Sequence, residues 1–197
     1  LDQMDVRAAI RQEMESTDGW ENWYRHVGND WSRVIVGQSG EKRYREYAGR
    51  SVADIAAAAG EDPWDTFFNL VRAGAFALPE TMTEANLLLA MQQEFVSFCT
   101  DVGPATSGGL ASHPRAAGAF PRLLSRYVRD LGFISLERFV AQASAAACNH
   151  IYAYDRGRIT EGLAADLIVF DLSAVVEKAT FAEPRAIAEG MQYVIVN

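Results

Sequence analysis

Apolar residues recur every four positions from Asp5 to Ser16, where Val6, Ile10 and Met14 share a face, and the spacing predicts an amphipathic helix closed by Gly19. Trp20, Trp23 and Trp31 follow in a polar segment punctuated by Asn and Gly, where packing of a long connection is a simpler expectation than an aromatic platform. Trp31 to Val36 reads as a buried strand running into Gly37-Gln-Ser-Gly40, and the mixed-sign run Glu41 to Glu46 as solvated surface. Ser51-Val-Ala-Asp54 opens a helix that Gly60 stops, and Asp62-Pro63 opens another with Trp64, Phe67, Phe68 and Val71 on one side. Thr81-Met-Thr-Glu84 reads as a capping box, with Leu87, Leu88, Met91 and Phe95 at helical spacing behind it. A second apolar run, Phe95-Val-Ser-Phe-Cys-Thr, predicts a strand that ends on Asp101 and empties into a Gly/Ser/Thr/Pro-rich loop from Val102 to Ser112. Pro121 is expected at the first position of a helix running through Leu123, Leu124, Tyr127, Val128 and Leu131 to Gly132. Ser135 caps the next helix, which has a small-residue face. From Asp155 the pattern becomes short strands with glycine turns: 157–162, 165–170 and 193–196.

Alternation of strands and helices predicts parallel βα units, but a closed (β/α)8 barrel takes about 250 residues. The expectation is therefore an α/β chain holding part of a barrel (1–154) followed by strands of a small β domain (155–197). Leu1 is no ordinary start residue, so the 197-residue sequence is expected to be a portion of a longer one.

A hydrophobic content of 49% and a charged content of 22% suit a globular core. The net charge of −8 and pI near 4.9 argue against nucleic acid or an anionic membrane as partner. No apolar run approaches the ~20 residues of a membrane span. The two cysteines, Cys99 and Cys148, lack metal-ligand spacing and suit a reducing, cytoplasmic compartment, with Cys99 expected to be buried and inert.

A carboxylate closing an apolar strand stands between low dielectric and a cleft, where it can serve as general base or metal ligand. Asp101 holds that position, with a loop-capping aspartate as the alternative. Arg115 offers a planar fork for a carboxylate, and His113 an acid, ligand or donor, unless His113-Pro-Arg115 is a surface turn. The three histidines, His26, His113 and His150, have neither HxH nor HExxH spacing. Gly103 to Gly109 has no following lysine to support phosphate binding.

The order Thr100-Asp101, His113-Pro-Arg115, Gly118-Ala-Phe-Pro-Arg122, Ser135-Leu-Glu137, Asp155-Arg-Gly157, Glu161-Gly162 and Ala165 to Asp171 resembles the D-aminoacylases. These are the N-acyl-D-amino-acid deacylases of the amidohydrolase superfamily. Tyr47-Ala-Gly49-Arg-Ser51, Met82-Thr-Glu84 and Glu189 to Val196 continue the likeness over nearly the whole chain. The resemblance implies a metal-bearing (β/α)8 barrel with a small β-sandwich, zinc or another divalent metal, and an N-acyl amino acid as substrate. It implies that Asp101 is the base that deprotonates a metal-bound water, with Asp101 a candidate metal ligand. It also implies that Arg115 grips the substrate carboxylate, and that Met82 and His113 lie at the substrate pocket. The family's HxH pair and further zinc-ligating histidines have no counterpart here, so the other ligands are expected outside this chain, on a missing N-terminal part, and the fragment alone is expected to be inactive. Two other readings stand beside this one: a non-catalytic binding or assembly module, and a cyclic-amide hydrolase of the same superfamily.

Overall fold

The computed structural model describes residues 1–16, 19–102 and 113–197. The described chain divides into two compact units, each with its own apolar core.

The first unit comprises Leu1–Thr83 together with His113 and Thr180–Pro184. Helix α1 (Met4–Glu15) buries Met14, half-buries Ile10 and leaves Val6 exposed. Helix α2 (Trp23–His26) is capped by the Asn22 side chain, which accepts from the Tyr24 amide. A 3-10 turn at Trp31–Arg33 leads into β1 (Val34–Val36), and a second 3-10 stretch, Lys42–Tyr47, carries the mixed-sign run. Helix α3 (Val52–Ala59) starts on Ser51, whose hydroxyl accepts from the Asp54 amide, and ends at Gly60 in the left-handed region (φ +69°). Helix α4 (Pro63–Arg72) has Asp62 as its cap and proline at its first position.

Strand β2 (Ala77–Pro79) pairs antiparallel with β1, with Ile35 opposite Leu78, so the expected parallel arrangement does not occur at this pair. Trp23 and Trp31 pack rather than form a platform, whereas Trp20 stays exposed. Trp31 meets Trp64 edge-to-face at 4.9 Å and Tyr24 at 4.4 Å, while Trp23 meets Phe67 at 5.8 Å. Gly49 (φ +86°) admits the 180–184 segment. A Cβ there would stand 2.9 Å from the Ala182 backbone nitrogen.

The second unit comprises 84–102, Pro114–Ala179 and Arg185–Asn197. Helix α5 (Glu84–Met91) begins with Glu84 itself, three residues later than the expected box at Thr81, because a turn from Pro79 to Thr81 precedes it. Met91 is buried, but Phe95 lies beyond the helix and is 75% exposed. Helix α6 (Arg115–Arg122) starts six residues before Pro121, which therefore sits inside a helix rather than at its first position. Alanines at 116, 117 and 119 carry the helix forward. Gly118 lets it pack closely, since a Cβ there would meet that of Ala179 at 3.0 Å. Without an amide hydrogen Pro121 cannot continue the ladder, and the chain runs on as a π-helical stretch, Leu123–Asp130.

Helix α7 (Leu136–Ala143) is capped by Ser135, and α8 (Ala145–His150) follows. Residues 157–162 are turns rather than a strand. Strands β3 (Leu167–Phe170) and β4 (Met191–Ile195) pair antiparallel, with Val169 opposite Tyr193. Phe170, Leu172 and Met191 pack against the buried set of Met91, Leu124, Tyr127, Ile134, Phe139 and Val175.

Candidate functional site

The segment that delivers Asp101 is irregular. Residues 95–100 belong to no strand, contrary to the expectation of a buried strand. A run of alternating apolar residues becomes a strand only when another strand takes up its amides and carbonyls. Here α7 and α8 hold the segment instead, with the Phe98 ring stacked on Phe139 at 5.7 Å and Ser97 Oγ 2.9 Å from His150 Nδ1. Cys99 is exposed rather than buried, because without strand pairing its side chain has no covered face, and its sulfur accepts from the Asp101 amide at 3.4 Å.

Asp101 has a left-handed backbone (φ +47°), a conformation that aspartate tolerates better than most residues. Arg115, the first residue of α6, meets it there. Its Nη2 donates to the Asp101 carboxylate at 3.0 Å and to the Asp101 carbonyl at 2.6 Å. The Asp101 side chain is 86% exposed and that of Arg115 42%, so the pair adds little stability and is open to exchange with solvent or a ligand. The two residues singled out for catalysis and carboxylate binding are thus brought together.

Met82 and His113 belong to the first unit. Met82 lies between β2 and α5 and is 67% exposed. The His113 ring meets Phe181 edge-to-face at 5.3 Å. The loop at 103–112, including the glycines considered for phosphate binding, lies outside the described residues.

Among the described residues no three His, Cys, Asp or Glu side chains converge as a metal site. The donor set that the described residues present does not fit zinc by itself. No described helix is long and apolar enough to cross a membrane.

Two constellations escaped sequence reasoning. Glu84 accepts from the hydroxyl of buried Tyr127 at 3.0 and 3.1 Å and from Arg126 Nη2 at 3.2 Å. Burial opposes its ionisation. The hydrogen bonds from Tyr127 and Arg126, with the charges of Arg126 and Arg122, outweigh that and hold the carboxyl below the usual glutamate range. The second is Arg138 and Gln142, which donate to the carbonyls of Gln92 and Gln93. Their four-residue spacing beside Phe139 was the available signal.

No protein-family profile matches the chain. Curated sequences do match it. It is 36% identical over 156 residues to the N-acyl-D-glutamate deacylase of Alcaligenes xylosoxydans xylosoxydans, covering 77% of this chain and 30% of that protein. The D-aminoacylase of the same organism is 32% identical over 160 residues, covering 79% of this chain and 31% of that protein. The chain is homologous to part of the N-acyl-D-amino-acid deacylases. It spans about a third of the length of the curated deacylases it matches.

A solved deacylase carries the likeness into three dimensions. The N-acyl-D-glutamate deacylase of Bordetella bronchiseptica, in complex with zinc and a phosphonate mimic of the tetrahedral intermediate, matches 85% of this chain. The match covers 34% of the Bordetella chain, with a TM-score of 0.70 and 31% identity. A D-aminoacylase solved to define the role of its binuclear metal centre matches 98% of this chain and 41% of its own, at a TM-score of 0.67 and 28% identity.

Proposed function

We propose that this chain is the C-terminal part of a metal-dependent enzyme that hydrolyses the amide bond of N-acyl-D-amino acids. In this reading residues 1–154 belong to its (β/α)8 barrel, and 155–197 supply strands of its small β domain. Asp101 is the general base. It takes a proton from the water that attacks the amide carbonyl and delivers it to the departing amine nitrogen, leaving a carboxylic acid and a free amino acid. Arg115 binds the free carboxylate of the substrate, and Met82 and His113 face the substrate. The zinc ligands are assigned to residues outside this chain, because no described set here fits the metal. A cytoplasmic location belongs to the same proposal.

The observation that carries the reading is the pairing of Asp101 with Arg115, in a chain 36% identical to a deacylase of an N-acylated acidic amino acid. Resting Arg115 is held by a carboxylate, and the substrate offers another. Exchange at an exposed pair costs little, and it frees Asp101 as the substrate docks.

The test is Asp101→Asn in the complete protein. The expected result is a kcat lowered by about 10²–10⁴, the usual contribution of a general base. A loss of only a few-fold would remove the base assignment. If the complete native protein hydrolyses no N-acyl-D-amino acid, the non-catalytic module is the better description.

A further inference from the structure

After Ala179 the chain crosses into the first unit for Thr180–Pro184 and returns to the second at Arg185. These residues form a turn closed on itself. The Thr180 amide donates to the Glu183 carbonyl at 3.2 Å, and the Glu183 amide donates to the Thr180 hydroxyl at 3.0 Å. Pro184 is fully buried, and Gly49 leaves room for the Ala182 backbone only because it has no Cβ. Gly49 is itself held on β1. Its amide donates to the Val36 carbonyl at 2.7 Å, and the buried Val36 donates its own amide to the Arg50 carbonyl at 2.8 Å. The turn so anchored presents Phe181, whose ring meets that of His113 edge-to-face, with centroids 5.3 Å apart and planes at 74°.

The turn does not need an aromatic ring for its own sake. Thr180 and Pro184 fix its backbone, while Ala182 and Glu183 are exposed. What the ring supplies is a wall for the imidazole. The χ2 torsion of a histidine is broad, so neighbours rather than its own rotamer set the plane of the ring. His113 stands two residues before Arg115, with Pro114 between them as the N-cap of α6. A group that meets substrate has to be held within about 10–20° of its working orientation.

The geometry points to Phe181 as a positioning residue for His113. Its ring fixes the plane in which the imidazole faces the substrate, and a turn from the C-terminal region thereby serves the substrate pocket. The inference rests on the reading that His113 faces the substrate.

The experiment uses the complete protein and an N-acyl-D-amino acid. His113→Ala is expected to raise KM about 10-fold. Phe181→Leu keeps an apolar side chain and removes the ring. It is expected to raise KM about 3–10-fold with kcat within about 2-fold, the range that one aromatic pair supports. Phe181→Tyr, which keeps the ring, should hold KM within about 2-fold of wild type. Should Phe181→Leu fail to fold, Phe181→Met carries the same test. Combined with His113→Ala, the loss of the Phe181 ring should cost nothing further in KM, because the group it positions is gone.

An unchanged KM in Phe181→Leu, with only a lower Tm, overturns the inference. So does an equal rise in KM from Phe181→Leu with and without His113→Ala. In both cases a raised KM in His113→Ala alone leaves the reading of His113 standing. An unchanged KM in His113→Ala removes that reading and this inference with it.

Discussion

Arg115 is where the proposed specificity rests. A planar guanidinium is suited to a carboxylate, and hydrogen bonds to charged groups contribute about 1.5–3 kcal/mol. Replacing Arg115 by alanine is therefore expected to raise KM for an N-acyl-D-amino acid by about 10–100-fold. The matching carboxamide, with no charge to grip, should lose little. Steady-state kinetics on the two substrates provides the check, and equal losses on both would take the carboxylate grip away from Arg115. Lysine at this position should restore only part of the affinity, since a point charge lacks the fork. Residue chemistry alone left Asp101 open between base and loop cap, and Arg115 open between grip and surface turn. Their juxtaposition at 3.0 Å became visible only in three dimensions, because it depends on α6 starting at Arg115.

At the scale of elements, the helix caps were the most legible features. Ser51, Asp62 and Ser135 each accept from an amide two or three residues ahead, as short polar side chains before a helix do. Strands were less so. Phe95 to Thr100 has strand composition, yet composition cannot supply a pairing partner, and the segment stays irregular. Pro121 misled in a different way. Read as a helix opener, it lies inside a helix whose continuation widens to the π form, and no local pattern announces that the alanines before it are already helical.

The Glu84 cluster ties α5 to that π-helical stretch and permits a pH prediction. The folded-state pKa of Glu84 lies below its ordinary value of 4.5, so its contribution to stability is present above that pH. It is lost as pH falls through the folded value. Tyr127→Phe removes the hydroxyl and should cost about 1 kcal/mol at neutral pH, at the low end for a charged acceptor because Glu84 is half exposed. At acid pH, where Glu84 is protonated in both states, the gap between wild type and Tyr127→Phe should narrow. Denaturant titrations at the two pH values measure it, and a gap that widens toward acid would contradict the assignment.

At the scale of the whole molecule, each unit has a buried core, yet the described residues present only one carboxylate of the proposed reaction and no metal set. The likeness to the N-acyl-D-amino-acid deacylases was legible here through the order of short motifs spread over the chain. The proposed metal has no motif in this sequence, since zinc ligands are imidazoles, thiolates or carboxylates that converge from several elements. The three histidines, at 26, 113 and 150, are too far apart in sequence to form an HxH or HExxH pair. This leads to a direct expectation for the 197-residue stretch produced by itself. Once circular dichroism has shown it to be helical, equilibration with zinc and dialysis should leave no more metal than a buffer blank, and no hydrolysis of N-acyl-D-amino acids should follow. The complete protein, treated the same way, should retain zinc and lose activity to a chelator, because a catalytic metal lowers the pKa of water and polarises the carbonyl, roles no side chain here replaces. Stoichiometric zinc on the isolated stretch would mean that its own side chains assemble a metal site, and would withdraw the assignment of the ligands to residues outside this chain.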